Sequence, residues 1–152
     1  MTTNEILTKQ NFLGKIVLKN DEAELSKGLK VKVMAMRIEY AKVRKQFDED
    51  VQEFVKDLAS DRYKELMQKP EADRTDDEKK ELGELTDKIN SDYAAYIVER
   101  GNEEVDVKRK SFTEDEYNEL VEVNADNDVE INGTKLNAAD FLEILYSLFV
   151  EE

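Results

Sequence analysis

Tyr40–Leu58, YAKVRKQFDEDVQEFVKDL, decides how this chain folds. Tyr40, Arg44, Phe47, Val51, Phe54 and Leu58 advance by four, three, four, three and four residues. That is the seven-residue seam of helices that pack in pairs, with charged residues filling the outward positions. Val55, Tyr63, Leu66 and Met67 extend or flank it. A helix over residues 30–68 would make a rod of roughly 58 Å at 1.5 Å per residue. Pro70 closes it, because proline disfavours helix at the residue before it.

Beyond Pro70 the chain turns over residues 70–75 and restarts at Thr75-Asp-Asp-Glu78. This is a capping box, in which the threonine hydroxyl and the glutamate carboxylate each satisfy an orphan amide. A second long helix follows, with Leu82, Leu85, Ile89, Tyr93, Tyr96 and Ile97 on one face, and ends at Gly101-Asn102. A short link between two matching seams predicts an antiparallel helical hairpin.

Upstream, Leu29, Val31 and Val33 alternate with Lys30 and Lys32, a strand-like period, whereas the pattern past Val33 is helical; strand and helix both stay open at 29–33. Phe12, Leu13, Ile16 and Val17 have helical spacing and predict a short first helix ending near Lys19-Asn20. Asp21-Glu22 begin a second short turn, which Gly28 stops.

Downstream, Val105 and Val107 suggest a short strand at 104–109. Thr113-Glu-Asp-Glu116 is a second capping box, opening a helix through about Val123. Val129 and Ile131, then Asn132-Gly133, then Thr134 and Leu136, read as a tight β-hairpin, since Asn-Gly accepts the positive φ angles of a type I′ turn. Asn137 caps a final helix, Ala138 to Val150, apolar at Phe141, Leu142, Leu145, Tyr146, Leu148 and Phe149. That face needs cover from the hairpin base or from another chain. The expected class is therefore mainly α with minor β, in two regions: residues 1–103 hold the helical hairpin and its preceding short helices, and residues 104–152 an acidic α+β module.

Composition agrees. Of 152 residues, 39% are hydrophobic and 39% charged, which suits long solvated helices, and five Gly and one Pro argue against sandwiches and barrels. Cysteine is absent, excluding disulfides and thiolate metal sites; histidine is absent too, removing the commonest general base and metal ligand. The serines at 26, 60, 91, 111 and 147 lie in no nucleophile motif. No catalytic, cofactor or metal residues are expected, and a non-enzymatic role is the expectation. No apolar run approaches the ~20 residues of a membrane span; Phe12–Leu18 is short and carries a lysine. The chain is expected to be soluble, with no membrane partner, and its lack of cysteine fits an intracellular or virion protein.

Three motifs invite other readings. Asp128, Glu130, Asn132 and Gly133 match the start of a calcium-binding loop, yet Ala139 stands where the bidentate glutamate belongs, and a plain hairpin explains the same residues. Lys30, Lys32, Arg37, Lys42, Arg44 and Lys45 with Lys108-Arg109-Lys110 are basic, but the acidic remainder opposes direct nucleic-acid binding. The aromatic stripe of Tyr40, Phe47, Phe54, Tyr93 and Tyr96 has core spacing.

Charge is graded along the sequence. Residues 1–46 hold 10 Lys and Arg against 5 acids, residues 47–111 hold 12 against 20, and residues 112–152 hold only Lys135 against 12, within a total of −14. Such a gradient bears on steering and partner choice.

The order of parts resembles the small acidic helical-hairpin proteins encoded among the structural and late genes of tailed bacteriophages. The resemblance lies in the short N-terminal helix, Leu29-Lys-Val-Lys-Val33 leading into a long charged helix, the turn and returning helix, Val105-Asp-Val107, and the closing Ala138-Ala-Asp-Phe-Leu-Glu-Ile-Leu-Tyr146; the Asn132-Gly133 hairpin departs from it. The resemblance implies a structural or assembly protein that docks other phage proteins in a virion or tail complex. Phe141, Leu145, Leu148 and Phe149, with Asp126, Asp128 and Glu130, are the candidate partner interface, and homo-oligomerisation through the charge gradient is expected. The rivals are an acidic nucleic-acid mimic that inhibits a host enzyme and a transient assembly chaperone.

Overall fold

The structure, a computed structural model, describes residues 1–151. It is mainly helical, with helices α1 (Thr3–Leu13), α2 (Lys27–Leu58), α3 (Asp61–Gln68), α4 (Asp76–Gly101), α5 (Glu114–Asn124) and α6 (Ala138–Phe149). Strands β1 (Val129–Ile131) and β2 (Thr134–Leu136) form one antiparallel hairpin. The chain divides into two compact units: residues 1–44 with 104–152, and residues 45–103. The first of these joins the opening helices and the start of α2 to the C-terminal segment.

In the discontinuous unit, α1 opens on a capping box: the Thr2 hydroxyl accepts from Glu5 N–H while the Glu5 carboxylate accepts from Thr2 N–H. Helix α1 ends at Leu13, not near Lys19, and Gly14 follows as its cap. Gly28, expected as a stop, lies in the first turn of α2. The Ser26 hydroxyl accepts from Leu29 N–H there, and Glu119 holds Ser26 in turn.

Residues 29–33 are helical, not extended. Leu29 and Val33 are one turn apart and both buried, so the packed face selects helix although the alternation suggests strand. The expected strand at 104–109 reduces to a single bridge between Thr2 and Glu104. Its partner segment enters α1 at Thr3, so no second rung can form. Val107 is nevertheless buried, and Tyr40 donates to the Arg109 carbonyl at 3.0 Å, which holds the extended segment down.

The core of this unit gathers Ile6 and Leu13 from α1, Leu29, Val33, Met36 and Tyr40 from α2, Leu120 and Val123 from α5, Ile131, and Phe141, Leu145 and Phe149 from α6. Phe12 stacks on Phe141 with ring centres 6.4 Å apart, and Phe112 meets Phe149 at 5.5 Å. Buried Asn124 works as a backbone substitute. Its Oδ1 accepts from Val17 N–H at 2.9 Å, and its amide donates to the Val17 and Leu120 carbonyls. The β-hairpin pairs Ile131 with Thr134 around Asn132 (φ 52°) and Gly133 (φ 79°), the type I′ geometry that the Asn-Gly pair predicts. Asn137 caps α6 by accepting from Asp140 N–H.

The second unit holds a helical hairpin. Phe54 stacks on Tyr96 with centres 4.0 Å apart, Arg100 pairs with Asp50 at 2.9 Å, Arg62 with Glu81 at 2.8 Å, and Lys69 with Glu78 at 2.9 Å. Partners retreat along α4 as they advance along α2 and α3, which is antiparallel pairing. The outgoing rod is not one helix over 30–68. It breaks at Ala59-Ser60, where the Ser60 hydroxyl accepts from Tyr63 N–H and starts α3. Serine competes for backbone amides in this way and favours caps over helix interiors. The Thr75–Glu78 capping box forms as expected. Phe47, Val51, Phe54 and Leu58 are only half-buried, while Leu66 is fully so.

Candidate functional site

The face of α6 expected to meet a partner is turned into the chain's own core. Phe141 has 0% of its surface exposed and Leu145 and Phe149 1% each, so three of the four proposed interface residues are covered by this chain; Leu148 is half-buried. A wide apolar face on a terminal helix shows that a cover is needed, and only packing shows who supplies it. The three acids of the same candidate set lie at the surface. Asp126 and Glu130 are exposed, Glu130 facing Lys135 across the hairpin, whereas Asp128 Oδ1 accepts from Ala138 N–H at 2.9 Å. Asp128 therefore helps start α6, which accounts for it without calcium. Among the described residues no cluster of three or more acidic, histidine or cysteine side chains is placed to hold a metal ion.

The basic residues of α2 are mostly engaged. Arg37 donates to the carbonyls of Leu13 and Ile16, and Arg44 to the Leu7 carbonyl and to Gln10 and Asn11. Helix α1 has no basic residue in its own last turn, so the Arg37 guanidinium from α2, on the Leu13 carbonyl, supplies the positive charge at the negative end of its dipole. Lys32 pairs with Glu116 at 2.6 Å, and Lys30 with Glu24. The Glu24 carboxyl is held below its ordinary value by that hydrogen bond from Lys30. Lys32 and Glu116, from the basic and acidic ends of the sequence, thus meet inside one unit, a single pair that compensates part of the charge gradient within the chain.

Sequence reasoning missed a different surface. Val31, Met34 and Ile38 are 56, 51 and 58% exposed. At 3.6 residues per turn they fall within an arc of about 60°, opposite Leu29, Val33, Met36 and Tyr40 in the core. The first half of α2 is thus apolar on two opposite faces, and one of them is open. Lys27 and Lys42 lie on the open face, before and after the apolar residues, both exposed and without an ion pair among the described residues. The signal lay in the alternation of Leu29, Val31 and Val33. Once that segment is helical, a two-residue period can only mean apolar residues on opposite sides.

Among the described residues no helix is long and apolar enough to cross a membrane. Comparison of the chain with protein-family models, curated proteins and solved structures gave no match.

Proposed function

We propose that this chain is a non-enzymatic docking element, one whose partner seats on the open face of α2. The observation that supports the reading is the two-faced helix itself. A helix apolar on opposite sides is ordinarily buried on both, and here Val31, Met34 and Ile38 face outward while Leu29, Val33 and Met36 are sealed in. The complete absence of histidine and cysteine fits a role that needs no nucleophile or proton shuttle. The resemblance of the layout to small acidic proteins of tailed bacteriophages supports docking in a virion or tail complex, with other structural proteins as partners.

The test is co-sedimentation with assembled particles and their intermediates. Wild-type chain is expected in the pellet, and Ile38→Glu in the supernatant with unchanged helicity by circular dichroism. Equal distribution of the two would refute the reading.

A further inference from the structure

The open face of α2 also carries information about what covers it. We infer that its occupant is an acidic amphipathic helix of another protein, seated along Val31, Met34 and Ile38 with carboxylates at both ends reaching Lys27 and Lys42. This deepens the docking role proposed above and rests on it.

Three observations support this occupant. Val31, Met34 and Ile38 repeat at three- and four-residue steps, the spacing at which one helix receives the side chains of another. Ala35 and Ala41, small residues beside that row, leave room for a close approach. Lys27 and Lys42 stand about 22 Å apart along the axis, at 1.5 Å per residue, and bracket the apolar row. Both are exposed and unengaged, unlike Lys30 and Lys32, which have carboxylate partners.

Charge also discriminates against the simplest alternative, a second copy of this chain. An antiparallel pair centred between Met34 and Ala35 would set Lys27 of one copy against Lys42 of the other. A parallel pair would set each lysine against itself. Either arrangement places like charges at both ends of a short apolar contact. A helix with glutamates or aspartates at those two positions meets the same face with opposite charge.

The probe is a helical peptide of about 18 residues, about five turns, with leucines along one seam and glutamates flanking it, together with a twin carrying lysines in place of the glutamates. Binding to the full chain is followed by fluorescence anisotropy and by methyl NMR of Val31, Met34 and Ile38. The acidic peptide is expected to shift those methyls, to bind at least about tenfold tighter than the basic twin, and to weaken as salt rises. Lys27→Glu with Lys42→Glu should reverse the preference between the two peptides while leaving the circular dichroism unchanged, a result that folding defects cannot produce. The inference is overturned if the two peptides bind equally, if the shifts map to another face, or if the acidic peptide does not bind. It is overturned as well if sedimentation equilibrium shows self-association that Ile38→Glu abolishes, which would make the occupant a second copy. If Ile38→Glu still loses co-sedimentation while the acidic peptide fails, docking stands and only the acidic occupant falls; if co-sedimentation is untouched, the docking role falls.

Discussion

Asn124 and Tyr40 show how single polar groups hold the discontinuous unit. Asn124 is fully buried and bridges α5 to the chain at Val17 through two hydrogen bonds, donates a third to the Leu120 carbonyl within α5, and accepts at the same Oδ1 from Asn127. Leucine has a similar volume but would leave the Val17 amide and carbonyl without partners. Asn124→Leu is expected to lose about 3 kcal/mol in urea denaturation, the usual cost of one or two orphaned buried groups. The Tyr40 phenol is raised to about 12, first by burial and then by the neighbouring Glu39 carboxylate. The neutral phenol is the form the fold favours, so its contribution is intact below pH 10 and is lost as pH climbs from there to about 12. Stability measured across that alkaline window should fall in the wild type, and the fall should be smaller in Tyr40→Phe. An identical slope would show that Tyr40 is not the group responsible.

At the scale of one element, α2 presents the sharpest contrast. Met36 is fully buried and Met34 half exposed, two residues apart on the same helix. Met36→Ala should cost about 2–5 kcal/mol by removing core contacts and leaving a cavity. Met34→Ala should change stability by no more than about 0.5 kcal/mol, as surface replacements do. Chemical denaturation of the two variants side by side measures the difference; equal losses would mean that the Met34 face is not open. The hairpin helices rely on different forces. Glu78 is held below the ordinary carboxylate range by hydrogen bonding to Lys69, and Glu81 by hydrogen bonding to Arg62. Exposed pairs of this kind align helices more than they stabilise them.

At the scale of the molecule, the two ends of the chain build one unit together. The Met1 amino group pairs with Glu104, Val105 N–H donates to the Met1 carbonyl, and Phe112 N–H donates to the Phe149 carbonyl at 2.7 Å. Arg44 bonds the α1 carbonyl of Leu7 while Glu104 bridges to Thr2 just before α1, so the cut ends at 44 and 104 lie along the same short helix. Replacing residues 45–103 by a flexible linker of about ten Gly and Ser residues, which spans about 16–19 Å, is expected to leave the remainder folded with dispersed methyl NMR signals. Residues 104–152 alone should not fold, because Phe141 and Phe149 would lose the α1 and α2 side of their core. A folded isolated 104–152 segment would contradict that dependence.

The sequence by itself determined the starts of α4 and α5 and the type I′ turn, because these depend on neighbours within a few residues: Thr75 with Glu78, Thr113 with Glu116, and Asn132 with Gly133. It also determined the antiparallel hairpin, through seams on either side of one proline. Only the tertiary structure decided which apolar face found a cover. Phe141, Leu145 and Phe149 need a cover that the sequence leaves open between the hairpin base and another chain, and they are sealed in the chain's own core, whereas Val31, in the segment open between strand and helix, stays exposed together with Met34 and Ile38. Hydrophobic patterning specifies that a surface must leave water, and the partner that removes it is set by packing across the whole chain.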